Sequence, residues 1–193
     1  MAKRKYEFRP DNLKTDLFNK LALTRTQRMK LLRWVLYALL LVALSVIQDV
    51  VLCRVKLFGA TTDLVPLAII LICVQLGGDA SAIFALLAAC FYKFSGTAPG
   101  YYVIGLLPIL SVFAAVTRQS LFRKSLGSTL LCATVAMVLY ELGIFGFGLL
   151  FRNTTPDRIL RFLTTSGLSL LSYVVLYPAT NAIERIGETT WND

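Results

Sequence analysis

The chain contains no histidine, which removes the commonest general base, proton relay and zinc ligand at once. Charge is scarce as well: 16% of its 193 residues are Asp, Glu, Lys or Arg, against roughly 25% in an ordinary soluble domain. The four cysteines, Cys53, Cys73, Cys90 and Cys132, lie in or beside apolar runs and form no C-x-x-C pair. They read as small buried hydrophobes rather than as a metal or disulfide framework. No nucleophile stands beside a base, no glycine loop carries the lysine of a phosphate cradle, and no carboxylate pair has supporting residues around it. The expectation is a protein that is not an enzyme, with no catalytic set, no cofactor and no metal. No linker rich in Pro, Gly or Ser divides it, so a single domain is expected.

What is abundant is hydrocarbon. Hydrophobic residues make up 56% of the chain, more than one soluble core of this size can hide. The reading is an all-α integral membrane protein, a compact bundle of about six transmembrane helices surrounded by lipid. The net charge of +9 would fit a nucleic-acid partner only if it were spread over a folded face, and it is not: residues 1–30 hold nine Lys and Arg against three acids. Residues 1–30 therefore read as a basic cytoplasmic arm and 31–193 as one transmembrane domain. Within the arm, Leu13, Leu17, Phe18 and Leu21 form a stripe that would let a short helix lie on the inner membrane face.

The expected spans are Leu31 to Leu52, Leu64 to Leu76, Ala80 to Tyr92, Tyr101 to Val116, Ser128 to Phe151 and Leu163 to Ile183, the last kinked or ended by Pro178. The second and third hold 13 residues each, roughly 20 Å of helix against a hydrocarbon core of about 30 Å. They either borrow flanking residues to cross or form a re-entrant hairpin turned at Gly77-Gly78-Asp79. Six crossings place fourteen Lys and Arg on one side and six on the other, so both termini are expected in the cytoplasm.

Small residues at helical spacing predict close helix packing: Ser81, Ala85 and Ala89 on the third segment, Gly143 and Gly146 on the fifth. Glu141 is the deepest ionisable group, and no basic residue has an obvious mid-membrane position opposite it. Gln48, Asp49 and Asp63 are expected to cluster near the outer interface, capping helix ends or pairing with Arg54, Lys56 or Lys93. Ser95 to Gly100, with Gly96 at its turn, reads as an exterior loop.

The order of these features resembles the bacterial rod shape-determining protein MreD family, over about Leu31 to Phe151. Gln48 late in the first helix, Thr62-Asp63-Leu64 before an aliphatic run, and a small-residue third helix leading to Ser95-Gly96 and Gly100 are similar to the family's pattern. Leu121-Phe122-Arg123 and a fifth helix bearing the acid Glu141 follow in the same order. Tyr92 stands where the family has an acid four positions before the first loop glycine, and Thr62 where it usually has proline. The resemblance implies a non-enzymatic scaffold of the cell-elongation machinery in the bacterial plasma membrane, acting in peptidoglycan synthesis with an MreC-like protein, an MreB-like filament and peptidoglycan synthases. Gln48, Asp49, Asp63, Tyr92, Gly96, Gly100 and Glu141 are then its candidate partner-binding positions. The rival reading is the substrate-binding membrane component of a vitamin or metal transporter, although Ala38 and Ala43 are five apart and miss that class's A-x-x-x-A docking motif. An intramembrane hydrolase built around Glu141 has no histidine to complete it.

Overall fold

The structure, a computed structural model, describes residues 25–54, 62–96, 98–121 and 126–186. The arm stripe Leu13, Leu17, Phe18 and Leu21, together with Lys56, Arg123 and Lys124, lies outside the described residues. Among those described there are seven helices and no strand. They are α1 Arg25–Val50, α2 Leu64–Leu76, α3 Gly78–Phe94, α4 Val103–Leu121, α5 Leu126–Leu150, α6 Ile159–Leu171 and α7 Tyr173–Arg185. Short 3-10 turns at Leu52–Arg54 and Pro156–Arg158 follow α1 and precede α6.

Among the described residues, three helices are long and apolar enough to cross a membrane, over Gln27–Val50, Val103–Ser120 and Leu126–Leu150. The pair α6 and α7, bent by 48°, makes a fourth if it is one broken span. The structure thus supplies three to four helices of crossing length where six spans are expected. The difference lies in two places. α2 stops at 13 residues and α3 at 17. The expected sixth span is divided at Ser172, upstream of Pro178, which sits inside α7. The stretch before that break is rich in Ser, Thr and Gly, and the Thr164 and Thr165 hydroxyls both donate to the Arg161 carbonyl, at 2.8 Å and 3.0 Å. Such back-bonding and Ser/Gly pairs are recognised causes of helix bending.

α2 forms the axis of the bundle. Its sequence is apolar on every side, so it has no solvent face to offer, and Leu64 through Val74 are all buried. α1, α3, α4, α5, α6 and α7 all pack against it. The surrounding helices show the opposite of soluble patterning. On α1, Tyr37, Leu41, Leu44 and Gln48 face inward, while Leu39 is 64% exposed and Val46 55%. α3 buries Ser81, Phe84, Ala85, Ala88, Ala89 and Tyr92 and leaves Ile83, Leu86 and Leu87 on the surface. Continuous apolar surface of this kind is stable against lipid and not against water.

α2 and α3 are joined by Gly77, whose φ of +86° and ψ of 173° suit only glycine. Its N–H donates to the Cys73 carbonyl at 3.2 Å, and a Cβ here would collide with the Gln119 side-chain amide. Gly143 allows α5 to approach α4, since a Cβ there would lie 2.7 Å from Leu106 Cδ2. Gly146, also expected at a tight helix contact, instead has open space where its Cβ would be, although at 100° per residue it lies only 60° around the helix from Gly143. Gly77→Ala should therefore destabilise the folded chain by about 1–3 kcal/mol, and Gly146→Ala should leave stability unchanged or raise it by up to about 1 kcal/mol. Thermal unfolding of the detergent-solubilised chain reads both, and equal behaviour of the two variants would refute this account of the turn.

Candidate functional site

A helix leaves its first N–H and last C=O groups without internal partners. Water satisfies them at a protein surface, but α2 is enclosed by other helices, so side chains must do it. At its start, Asp63 occupies the cap position and makes no side-chain cap bond. Pro66 has no N–H to satisfy. The Val65 N–H donates to Gln48 Oε1 from α1 at 2.9 Å, in a buried bond. The Asp63 N–H donates to Ser169 Oγ from α6, also at 2.9 Å. A glutamine and a serine from distant helices thus perform the capping that an adjacent residue normally performs.

The far end of α2 is held in the same way. Arg118 Nη1 from α4 donates to the Val74 carbonyl at 2.6 Å, placing a cation at the negative end of the helix dipole. The Gly78 N–H donates to Gln119 Oε1 at 3.3 Å. Gln75 Nε2 reaches Thr180 Oγ1 on α7 at 3.0 Å.

Around the start of α2 these caps form part of a larger polar cluster. Tyr92 from α3 and Tyr140 from α5 are fully buried, and Glu141 is 3% exposed. The Tyr92 side chain contacts Gln48 and Tyr140, and the charges of Asp63 and Glu141 lie within electrostatic reach of both tyrosines. The two tyrosine hydroxyls make only weak contacts, Tyr92 with Gln48 and with Tyr140, and Glu141 Oε1 has no hydrogen-bond partner. Unpartnered buried polar atoms are uncommon in folded proteins and ask for an explanation. Asp63 belongs to no spanning helix and is half-buried; burial pushes its carboxyl from the ordinary carboxylate range up to about 6.

Four of the residues singled out by sequence, Gln48, Asp63, Tyr92 and Glu141, are therefore brought together. Asp49, expected to join them, is exposed, because one residue of helix turns it 100° away from the buried Gln48. Lys93, expected to pair with these acids or snorkel, has its Nζ 4.3 Å from the centre of the Tyr101 ring. Gly96 sits in the turn after α3 with φ +86°, and Gly100 abuts the Tyr102 ring; neither reaches the cluster's side chains in any recorded bond. Ser81, Ala85 and Ala89 are fully buried, with Ser81 Oγ donating to the Gly78 carbonyl at 2.6 Å.

Sequence reasoning missed Tyr140, Ser169 and Arg118. The available signal was the length of α2: a helix too short to cross must be enclosed, and an enclosed helix needs caps from elsewhere. Among the described residues no group of three or more His, Cys, Asp or Glu side chains is placed to hold a metal ion. Two apolar grooves lie on the outer surface. One, of about 220 Å³, runs between α1 and α3 beside Trp34, Phe84 and Phe91; the other, of about 70 Å³, lies between α4 and α5 beside Phe113 and Cys132.

Compared with family models, curated proteins and solved structures, the chain matches none.

Replacing Gln48 by leucine preserves approximate volume and strands the buried Val65 N–H. The expected cost is about 1–3 kcal/mol, a fall in thermal midpoint of several degrees. Asp49→Ala, on the exposed neighbour, should move the midpoint by less than about 0.5 kcal/mol equivalent. A Gln48→Leu protein as stable as the parent would show that the cap contributes nothing.

Proposed function

We propose that this chain is a non-enzymatic membrane scaffold of the bacterial cell-elongation machinery, as its resemblance to the rod shape-determining MreD family implies. The observation that supports this most is the use made of the residues carrying the resemblance. Gln48 and the backbone of Asp63 hold α2 in the middle of the bundle. Residues devoted to architecture fit a protein whose output is its surface rather than a reaction. That surface is apolar and grooved, the form that helix-packing contacts with other membrane proteins require.

In this reading the chain sits in the plasma membrane with both termini cytoplasmic, where its basic arm faces the anionic inner leaflet. Its partners are an MreC-like protein, an MreB-like filament and the peptidoglycan synthases. A transporter's substrate-binding component is the second reading, and one observation favours it: Glu141 Oε1 is buried without a hydrogen-bond partner, as it would be in a site awaiting a ligand.

Depletion of the protein in its native bacterium should convert rods to rounded cells, and crosslinking in native membranes should capture elongation proteins. Rod shape kept after complete depletion would overturn the scaffold reading. A co-purifying vitamin or ATPase pair would replace it with transport.

A further inference from the structure

The larger outer groove lies where α1 and α3 meet through aromatic rings: the Trp34 and Phe84 centroids are 5.7 Å apart, edge to face, and Tyr37 approaches the same Phe84 at 6.1 Å. Beyond that contact the helices leave a gap. Ala38 is too short to fill it, and Val42, Leu87 and Phe91 form its rim, each at least 40% exposed. From Trp34 to Val42 the groove follows α1 for about 12 Å at 1.5 Å per residue, and it encloses about 220 Å³. An apolar cavity of about 150 Å³ takes up a benzene molecule, so this elongated space holds a hydrocarbon chain. It is too narrow for a helix, which is about 10–12 Å across.

We propose that this groove binds one anionic phospholipid, with an acyl chain lying between α1 and α3 and the headgroup phosphate at Lys30. Lys30 precedes Trp34 by one turn on the same face of α1, about 6 Å further along the axis, and it is exposed. It stands where a chain leaving the groove carries its charged end. Trp34 marks the depth, because an indole settles at the boundary of hydrocarbon and headgroups with its ring in the one and its N–H toward the other. Cation, boundary residue and apolar slot thus follow in the order in which a phospholipid presents its phosphate, its ester linkage and its chain.

The charges around this end of the groove favour an anion. Asp79, the acid at the start of α3, lies 140° around that helix from Phe84 at 100° per residue, away from the groove. The charges of Arg33 and of Glu184 from α7 both act on Tyr37, so on that side of α1 a cation and an acid offset each other. Lys30 is the cation in line with the groove. A zwitterionic lipid fills the slot equally well but brings its own cation to the lysine, whereas an anionic one keeps the full attraction. This assignment needs lipid around the chain and does not depend on the scaffold reading.

Lipids brominated in the acyl chain quench a tryptophan they touch, and Trp191→Phe leaves Trp34 as the sole tryptophan of the full chain. In phosphatidylcholine vesicles, brominated phosphatidylglycerol should half-quench Trp34 at about a fivefold lower mole fraction than brominated phosphatidylcholine, the effect of one lysine beside an anionic headgroup. Lys30→Gln should bring that ratio to one, and Ala38→Leu, which fills the slot from an exposed position, should do the same. Arg28→Gln removes an equal charge from an exposed position 120° around α1 from Trp34, and should leave the preference intact. Equal quenching by the two lipids in the native chain overturns the site, as does a preference that survives Lys30→Gln and Ala38→Leu. A preference lost equally in Arg28→Gln makes it a general attraction of the basic end and overturns the site too. Absence of quenching by either lipid places protein over the groove, a second copy or another helix, and excludes the lipid.

Discussion

The arrangement depends on one requirement: the two ends of α2 must find hydrogen-bond partners inside the bundle. Hydrocarbon offers none, and an unpaired backbone group there costs several kcal/mol. α2 is apolar all round and 13 residues long, so it can neither face water nor bridge a bilayer of about 30 Å on its own. Gln48, Ser169 and Arg118 close its termini from α1, α6 and α4. Those three bonds fix the register of three surrounding helices against the central one. Change the length of α2 by one turn and at least one end loses its partner.

The outer helices accept the complementary task. Their inward faces are built from small or flat residues that allow close approach to α2, such as Ala85 and Ala89 on α3 and Ala133 and Ala136 on α5. Their outward faces carry branched aliphatic residues, with Val174 75% and Leu160 70% exposed in the isolated chain. Since lipid is as apolar as these side chains, burial of hydrocarbon cannot by itself decide which helix packs on which. Polar bonds and shape decide it, which is why the bonds at the ends of α2 come from Gln48, Ser169 and Arg118 on three different helices.

Much of this was legible in the chain. Apolar runs and their cationic borders located the helices, and the 13-residue length of the second run already marked it as unable to cross alone. Gln48, Asp63 and Glu141 stood out because polar groups in oily segments need a reason. What could not be read was direction and depth. Asp49 adjoins Gln48 in sequence yet points outward, and Gly146 looks equivalent to Gly143 until the helix is rotated against its neighbour. The bend at Ser172 was hidden behind Pro178, the stronger breaker by rule, because an accumulation of weak hydroxyl-to-carbonyl bonds is less conspicuous than one proline. Arg118 read as a topology signal at the end of a span, and only the fold reveals the carbonyl of Val74 beside it.

Glu141 remains the residue that architecture alone explains least. The two donors recorded at the start of α2 are already satisfied by Gln48 and Ser169, so the cap makes no use of a carboxylate from α5. A glutamine or leucine would fill the same space without placing a second acid beside Asp63. A buried ionisable group that no structural bond requires is costly to keep, and such groups cluster where proteins bind or react. The weak contacts that Tyr92 makes with Gln48 and Tyr140 already engage the two tyrosine hydroxyls, so Glu141 is left as the buried acid of the cluster whose Oε1 no bond satisfies.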